Sequence, residues 1–542
     1  MATRRSGSLY GKLARSEELI RLKMVVFAPI PSASDNAATI VNPGRASSMR
    51  APKMMSCLRV VMVRVRYGPL DGRSIGRVGS ELAVVAIVAA GRGSRLRSRC
   101  RTADLARHAY VTRLASTHMP CTIISKLLAS LADGDHSYAR SMYRLAHRTV
   151  AKAKYGLKSA IERWQLAGLY SPDPNDLDPR KHLDAAVEWL KRAQDAGRDR
   201  GVSYGVRFGA DFQESYPETT GYICRSFVEL SRRDGNADLF RRAVEMSEWE
   251  LSIQLPSGAV MGGKLNANPT PAVFNTGMVL LGWSALARAC PNGHRPAGAM
   301  RAADWLLDMQ EPDGNWIRGN SQFALSNATV YNVKAAWGLC ELGAALDRED
   351  YVRAAIRNAE FCLQHQLPNG WFRDCCLTDP SRPLLHTLAY TMEGLLGIGE
   401  LTGRQDFIDA ARATADAQLR IMTSDGFLPG RQDKDFGAAV DWCCLTGSAQ
   451  TSIVMSRFAR LTGEKKYAEA ASRLNTYLMA HHDIRNPDLR LRGGLPGSWP
   501  VWGDYGRFTI LNWATKFLVD ALRLQLDTKA HSDERTAAAR PH

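Results

Sequence analysis

Gln254-Leu-Pro256-Ser-Gly258, Gln310-Glu-Pro312-Asp-Gly314 and Gln366-Leu-Pro368-Asn-Gly370 repeat one signature, and a fourth copy keeps Ser424-Asp-Gly426. Consecutive glycines of the four copies stand 56 residues apart at every step. A fixed period of this size means one supersecondary unit copied along the chain.

Superposing the copies shows what the unit is. Ahead of each turn lies a helical stretch in which Ala243, Ala299, Ala355 and Ala411 share a column. Ser247, Ala303, Ala359 and Ala415 share the column four residues later, and Trp249, Trp305 and Phe361 a third. Small residues at i and i+4 fall on one helix face and admit a close neighbour. The Pro-Gly turn ends that helix. A second helix then carries Ser226, Gly282, Gly338 and Gly394 in one column and Leu230, Leu286, Leu342 and Ile398 in the next. The unit is an αα-hairpin.

Helices of the second kind are expected to begin near Glu218, Phe274, Val330, His386, Cys444 and Phe508. Helices of the first kind are expected near 183–196, 238–254, 295–310, 350–366, 406–422 and 465–481, the first opened by the cap and first-turn pair Asp178-Pro179. Equal numbers of the two kinds predict a closed double ring, an all-α (α/α)6 toroid. Closure also accounts for the lack of a polar capping repeat at either end.

Two resemblances rest on these residues. Arg301-Ala302, Trp305-Leu306, Gln310, Gly314 and Trp316 resemble the QW motif of squalene-cyclase and prenyltransferase-like toroids, where the motif is structural. The strings Ser215-Tyr-Pro-Glu-Thr-Thr-Gly-Tyr222, Pro383-Leu-Leu-His-Thr-Leu-Ala-Tyr390 and Cys444-Leu-Thr-Gly-Ser-Ala-Gln450 are similar to those of bacterial VpsJ-type proteins, toroids of exopolysaccharide gene clusters. The likeness covers about residues 180–526. It implies a role in exopolysaccharide biosynthesis and leaves the reaction open.

The formal net charge of +17 is concentrated at one end. Residues 1–118 hold 21 Lys and Arg against 6 Asp and Glu, and the remainder holds 50 against 48. The near-neutral toroid excludes a nucleic-acid role for the whole chain. The basic segment shows no sustained helical or strand period and is expected to be disordered, with Met119 the preferred natural start. Its apolar run at 82–90 is too short to span a membrane. A helical lead-in at 119–180, the toroid at 181–528 and a disordered tail at 529–542 complete the expected organisation.

The 11 cysteines form no Cys-x-x-Cys and follow no secretory signal, which points to a reducing cytoplasm. Asp374, Cys376 and His386 are ligand types of toroidal protein prenyltransferases, but the His follows the Cys too soon for that pattern. No metal and no cofactor are expected.

Read in register, one inner-helix stripe is apolar throughout, as in Ile223, Phe227 and Leu230. A second carries Glu218, Tyr222, Arg225 and Glu229, then Val330, Lys334, Trp337 and Glu341, then His386, Tyr390, Glu393 and Gly397. Inward polar groups need water or a ligand, so this stripe is expected to wall a solvated central cleft. The opposing reading is that these groups cap helices and pair with one another. Glu218 and His386 share a column three hairpins apart and should flank whatever binds between them.

The expected catalytic residues are His386, Tyr390 and Glu218. The expected substrate contacts are Tyr216, Tyr222, Arg225, Asn332, Lys334, Trp337, Arg373, Glu393, Asp441, Trp442, Trp502 and Tyr505. Aromatics mixed with carboxylates and Arg suit sugar rings. The partner is then a glycan or sugar-containing substrate, with polysaccharide-synthesis proteins as neighbours. Lyase or epimerase chemistry would use Tyr or His to remove a proton beside a carboxylate neutralised by Arg373 or Asn332. A hydrolase would need two opposed carboxylates, with Glu218 and Asp441 as the pair to try. The alternatives are an isoprenoid cyclase or prenyltransferase, which lacks its Asp-x-Asp-Asp cluster here, and a non-catalytic binding toroid. A polar cleft with opposed charges favours sugar; a dry aromatic pocket favours isoprenoid.

Overall fold

A computed structural model of the chain describes residues 58–65, 82–89, 165–265, 268–290 and 295–538. The chain divides into two units, Met1–Ile161 and Glu162–His542. In the first, β1 (Leu58–Val65) and β2 (Leu82–Ala89) pair antiparallel, Leu58 opposite Ala89 and Val65 opposite Leu82. The two strands are the valine-rich runs of the basic segment, a composition that favours extended backbone. The rest of 1–118, and 119–164 of the expected lead-in, lie outside the described residues.

Twelve helices make up the second unit among the described residues. The outer set is α1 (Pro179–Asp195), α3 (Ala237–Ile253), α5 (Arg295–Met309), α7 (Glu349–Leu363), α9 (Gln405–Ile421) and α11 (Lys465–Ala480). The inner set is α2 (Pro217–Asp234), α4 (Val273–Ala289), α6 (Val333–Leu346), α8 (Leu385–Thr402), α10 (Leu445–Thr462) and α12 (Asn512–Ala538). Each inner helix packs on the next, α12 returns to α2, and α1 packs against α12, so first outer and last inner helix form the closing hairpin. The unit is an (α/α)6 toroid. Its last helix runs on to Ala538, beyond the expected end at 528.

Local chemistry places each element. Asp178 accepts from the amides of Arg180 and Lys181 to start α1, with Pro179 in its first turn. Four of the inner helices end in left-handed residues, Gly235 at φ 65°, Asp347 at 55°, Gly403 at 68° and Gly463 at 70°, which turn the chain sharply into the next outer helix. The opposite end carries the long connections.

The repeated turn is a tie between neighbouring hairpins. Gln254 Nε2 donates to the carbonyl of Gly258 at 2.7 Å and to that of Gly298, in the next outer helix, at 2.8 Å. Gln310 and Gln366 repeat the second bond to Ala354 and Ala410, each at 2.8 Å. The four turn glycines have φ between 88° and 92°, and a Cβ at Gly314 would strike the Arg357 carbonyl. The glycine column of the inner helices is their line of closest approach: a Cβ on Gly282 would meet the Gly221 carbonyl, and one on Gly338 that of Gly277.

Candidate functional site

The long connections and the N-terminal turns of the inner helices bring one cluster of side chains together around Glu218, in the first turn of α2. Burial lifts the Glu218 carboxyl to about 8, so it holds its proton at neutral pH. Six tyrosines border it, Tyr204, Tyr216, Tyr222, Tyr331, Tyr390 and Tyr505, and burial first, then the Glu218 charge among others, raises every one of these phenols. Tyr204, Tyr216, Glu218 and Tyr505 are half-buried and form the outer side of the cluster. Tyr390 and His386 lie behind, 4% and 6% exposed, their rings 4.2 Å apart. Tyr505 brings its ring to 5.4 Å from His386 and accepts from Trp513 Nε1 at 2.7 Å. Phe274 packs on Tyr390 at 4.8 Å, and Tyr331 donates to Asn320 Oδ1 at 2.6 Å.

A buried chain of polar groups sets the state of His386. Its Nδ1 lies 2.5 Å from Gln450 Oε1, Gln450 Nε2 donates to Glu393 Oε2 at 2.6 Å, and Lys334 Nζ is 3.0 Å from the same oxygen. A carboxylate only accepts, so the Gln450 amide must turn its NH2 to Glu393 and its carbonyl to His386. Nδ1 then carries the proton and Nε2 keeps a lone pair. Burial, against the Gln450 bond and helped by the Lys334 charge, lowers His386 to about 4. Burial also lowers Lys334 to about 7, opposed by Glu393. The cluster thus holds a protonated carboxyl and a neutral imidazole of one tautomer.

The rest of the polar stripe departs from the expected solvated cleft. Arg225 reaches across the ring to Glu341 at 3.0 Å and bonds Glu229 at 2.7 Å; Arg523 bonds Glu229 at 2.6 Å. Arg225, Lys334 and Arg457 surround the Trp337 ring at 4.7, 4.4 and 5.3 Å. Opposite charges from different hairpins neutralise one another, so Arg225, Lys334, Trp337 and Glu393 fill the bore below the cluster instead of walling an open channel.

The other expected contacts scatter. Asn332 is buried in a 3-10 turn (Val330–Asn332) and donates to Asn320. Arg373 donates to the Gln364 carbonyl past the end of α7, on the exposed surface. Asp441, Trp442 and Trp502 line a separate recess of about 290 Å³. An open groove of about 580 Å³ around Gln366 and Pro368 is a seam of the outer ring. Among the described residues no cluster of three His, Cys, Asp or Glu is placed to hold a metal ion. Gln450, Trp513 and Tyr331 were not singled out from sequence as site residues, although Gln450 ends one of the VpsJ-like strings.

No family model matches this chain, and no curated protein matches it in sequence. Solved structures do match. An unsaturated glucuronyl hydrolase specific for heparin superposes with a TM-score of 0.52 at 15% identity, over 65% of this chain and 98% of its own. Cellobiose 2-epimerase from Bacillus thermoamylovorans gives 0.52 at 9% identity, over 64% and 98%. A sugar epimerase from a ruminal bacterium gives 0.52 at 12%, over 64% and 97%. At these identities the likeness is one of fold.

Proposed function

We propose that the toroid is a carbohydrate-active enzyme that moves a proton at a sugar carbon. The single observation carrying this is the pair in one side-chain cluster: Glu218, protonated at neutral pH, and His386, neutral with Nε2 free, joined through Tyr390 and Tyr505. In the reaction His386 Nε2 takes the proton from the carbon beside a carbonyl or carboxylate. The C–H electron pair becomes a C=C bond, and the carbonyl oxygen takes or shares the Glu218 proton. Return of a proton to carbon gives an epimer or isomer; in a 4-linked uronate the enolate electrons expel the O4 of the linked sugar, which takes the proton from His386 Nε2, and an unsaturated product remains. Tyr390, its phenol pushed up by burial, stays protonated and acts as a hydrogen-bond donor.

The neighbours in fold include sugar epimerases and a glucuronyl hydrolase, which supports a glycan substrate. The three VpsJ-like strings supply Tyr216, Glu218, Tyr222, His386, Tyr390 and Gln450, so they converge on this cluster. That convergence supports a place in exopolysaccharide biosynthesis, beside other synthesis proteins and in the cytoplasm. Hydrolysis is disfavoured because Asp441, the second carboxylate it would need, lines the separate recess. The aromatic wall favours an isoprenoid as the second reading; the phenol hydroxyls and the charged chain behind His386 oppose it.

The test is a screen of neutral and uronate-containing oligosaccharides for a new sugar product by NMR. An isomerised, epimerised or unsaturated product supports the proposal. Binding without any product favours a non-catalytic toroid, and binding of a polyprenyl phosphate with no sugar bound favours the second reading.

A further inference from the structure

We propose that the recess bounded by Trp442, Trp502, Asp441, Asp504 and Arg507 is a second sugar subsite, selective for a neutral or amino sugar over a uronate. This rests on the carbohydrate reading of the central cluster and extends it to the length and charge of the substrate. Trp502 is 43% exposed, the only exposed tryptophan among the described residues, and its indole edges a concavity of about 290 Å³. That volume is at the small end for ligand sites.

The polar groups around it are unemployed. Among the described residues neither Asp441 nor Asp504 has a hydrogen bond or ion pair, and the Arg507 guanidinium only lies over the Phe508 ring, at 5.5 Å. An exposed indole beside uncommitted carboxylates suits a sugar ring, whose C–H face stacks while its hydroxyls donate to the carboxylates. Two carboxylates against one guanidinium leave the recess net negative, which repels a uronate and accepts hydroxyls or an ammonium.

The walls are built rather than loose. Trp442 and Trp499 stand beside and within a short strand pair, β3 (Cys443–Cys444) with β4 (Ser498–Trp499). Gly430 lets the Trp442 ring pack on the backbone, where a Cβ would collide with it. The same loop serves both sites: Trp502 and Asp504 face this recess, while the next residue, Tyr505, turns its ring towards His386, 5.4 Å away. A chain with one sugar between Glu218 and His386 therefore has its next contacts along this loop.

Isothermal titration of the intact protein with glucose, cellotriose, chitotriose and a polyuronate trimer tests this, with Trp502→Ala, Asp504→Asn and Glu218→Gln beside the wild type. Melting curves check folding. Trp502→Ala should weaken the neutral trisaccharides about three- to tenfold and leave glucose unchanged. Asp504→Asn should improve the polyuronate. If Trp502→Ala binds trisaccharides like the wild type while Glu218→Gln weakens them, the subsite is wrong and the central reading stands. If the polyuronate loses as much as cellotriose in Trp502→Ala, the selectivity is wrong. A wild type that binds none of the probes at millimolar concentration overturns both.

Discussion

Glu393 reaches His386 through a single amide: Gln450 donates to the carboxylate at 2.6 Å and presents its carbonyl to the imidazole Nδ1 at 2.5 Å. Because Glu393 can only accept, this one bridge decides which imidazole nitrogen is basic. Lys334 Nζ, 3.0 Å from the same Glu393 oxygen, fixes the far end of the bridge.

Replacing the bridge should therefore disturb chemistry more than binding. Gln450→Leu leaves His386 free to choose its tautomer and leaves Glu393 with Lys334 alone. Turnover should fall by about 100-fold or more while KM moves little. Nitrogen-15 NMR of His386 should show mixed tautomers in the variant and Nδ1–H in the wild type. An unchanged spectrum would remove Gln450 from the mechanism.

The pH profile follows from two displaced groups. His386 must be neutral, and loses that state as pH falls through about 4. Glu218 must be protonated, and loses its proton as pH rises through about 8. Activity should fill the window between, and Glu218→Gln should abolish the alkaline limb along with most turnover. The same shift acts on stability. A carboxyl raised in the fold binds its proton more tightly there than in the unfolded chain, so its contribution is complete below the ordinary glutamate value of 4.5 and declines as pH rises towards 8. Glu218→Gln should flatten that decline, read as melting temperature against pH. A wild-type curve with no fall across the window would contradict it.

The hydroxyl of Tyr390 can be removed with almost no change of volume. Tyr390→Phe keeps the ring contacts with His386 and Phe274, at 4.2 and 4.8 Å. Folding should stay near native and turnover should drop by about 10²-fold. Full activity in this variant would make Tyr390 a wall and nothing more.

Gly338 tests the packing of the ring. A side chain there meets the Gly277 backbone of the neighbouring inner helix, so Gly338→Leu should destabilise by about 1–3 kcal/mol or more. Denaturant titration reads this directly; an unchanged midpoint would mean the inner helices have room to part.

What sequence could show tracks where the repeat persists. Gln254, Gln310 and Gln366 announced the hairpin because a Pro-Gly turn has few substitutes, and the 56-residue spacing then located the inner helices and, with them, Glu218, His386 and Tyr390. The spacing lapses after Gly426. Gln450 on the fifth inner helix and Trp513 on the sixth therefore fall outside the 56-residue columns, while Tyr331 comes from a 3-10 turn outside the helical register. The polar stripe reads as solvated in sequence for another reason. Arg225 and Glu341 are 116 residues apart in sequence, and only ring closure brings them together to neutralise what looked like a solvated wall.

Proton transfer at carbon is most directly read by running the reaction in D2O with an oligosaccharide that the wild type converts, and following the sugar C–H signals by NMR. His386 exchanging its proton with solvent should place deuterium at the carbon beside the carbonyl or carboxylate, in product or in recovered substrate, and His386→Asn should reduce that incorporation by about 10²-fold or more. Conversion with no deuterium at any sugar carbon, or incorporation that His386→Asn leaves intact, would contradict the assignment of His386 as the base.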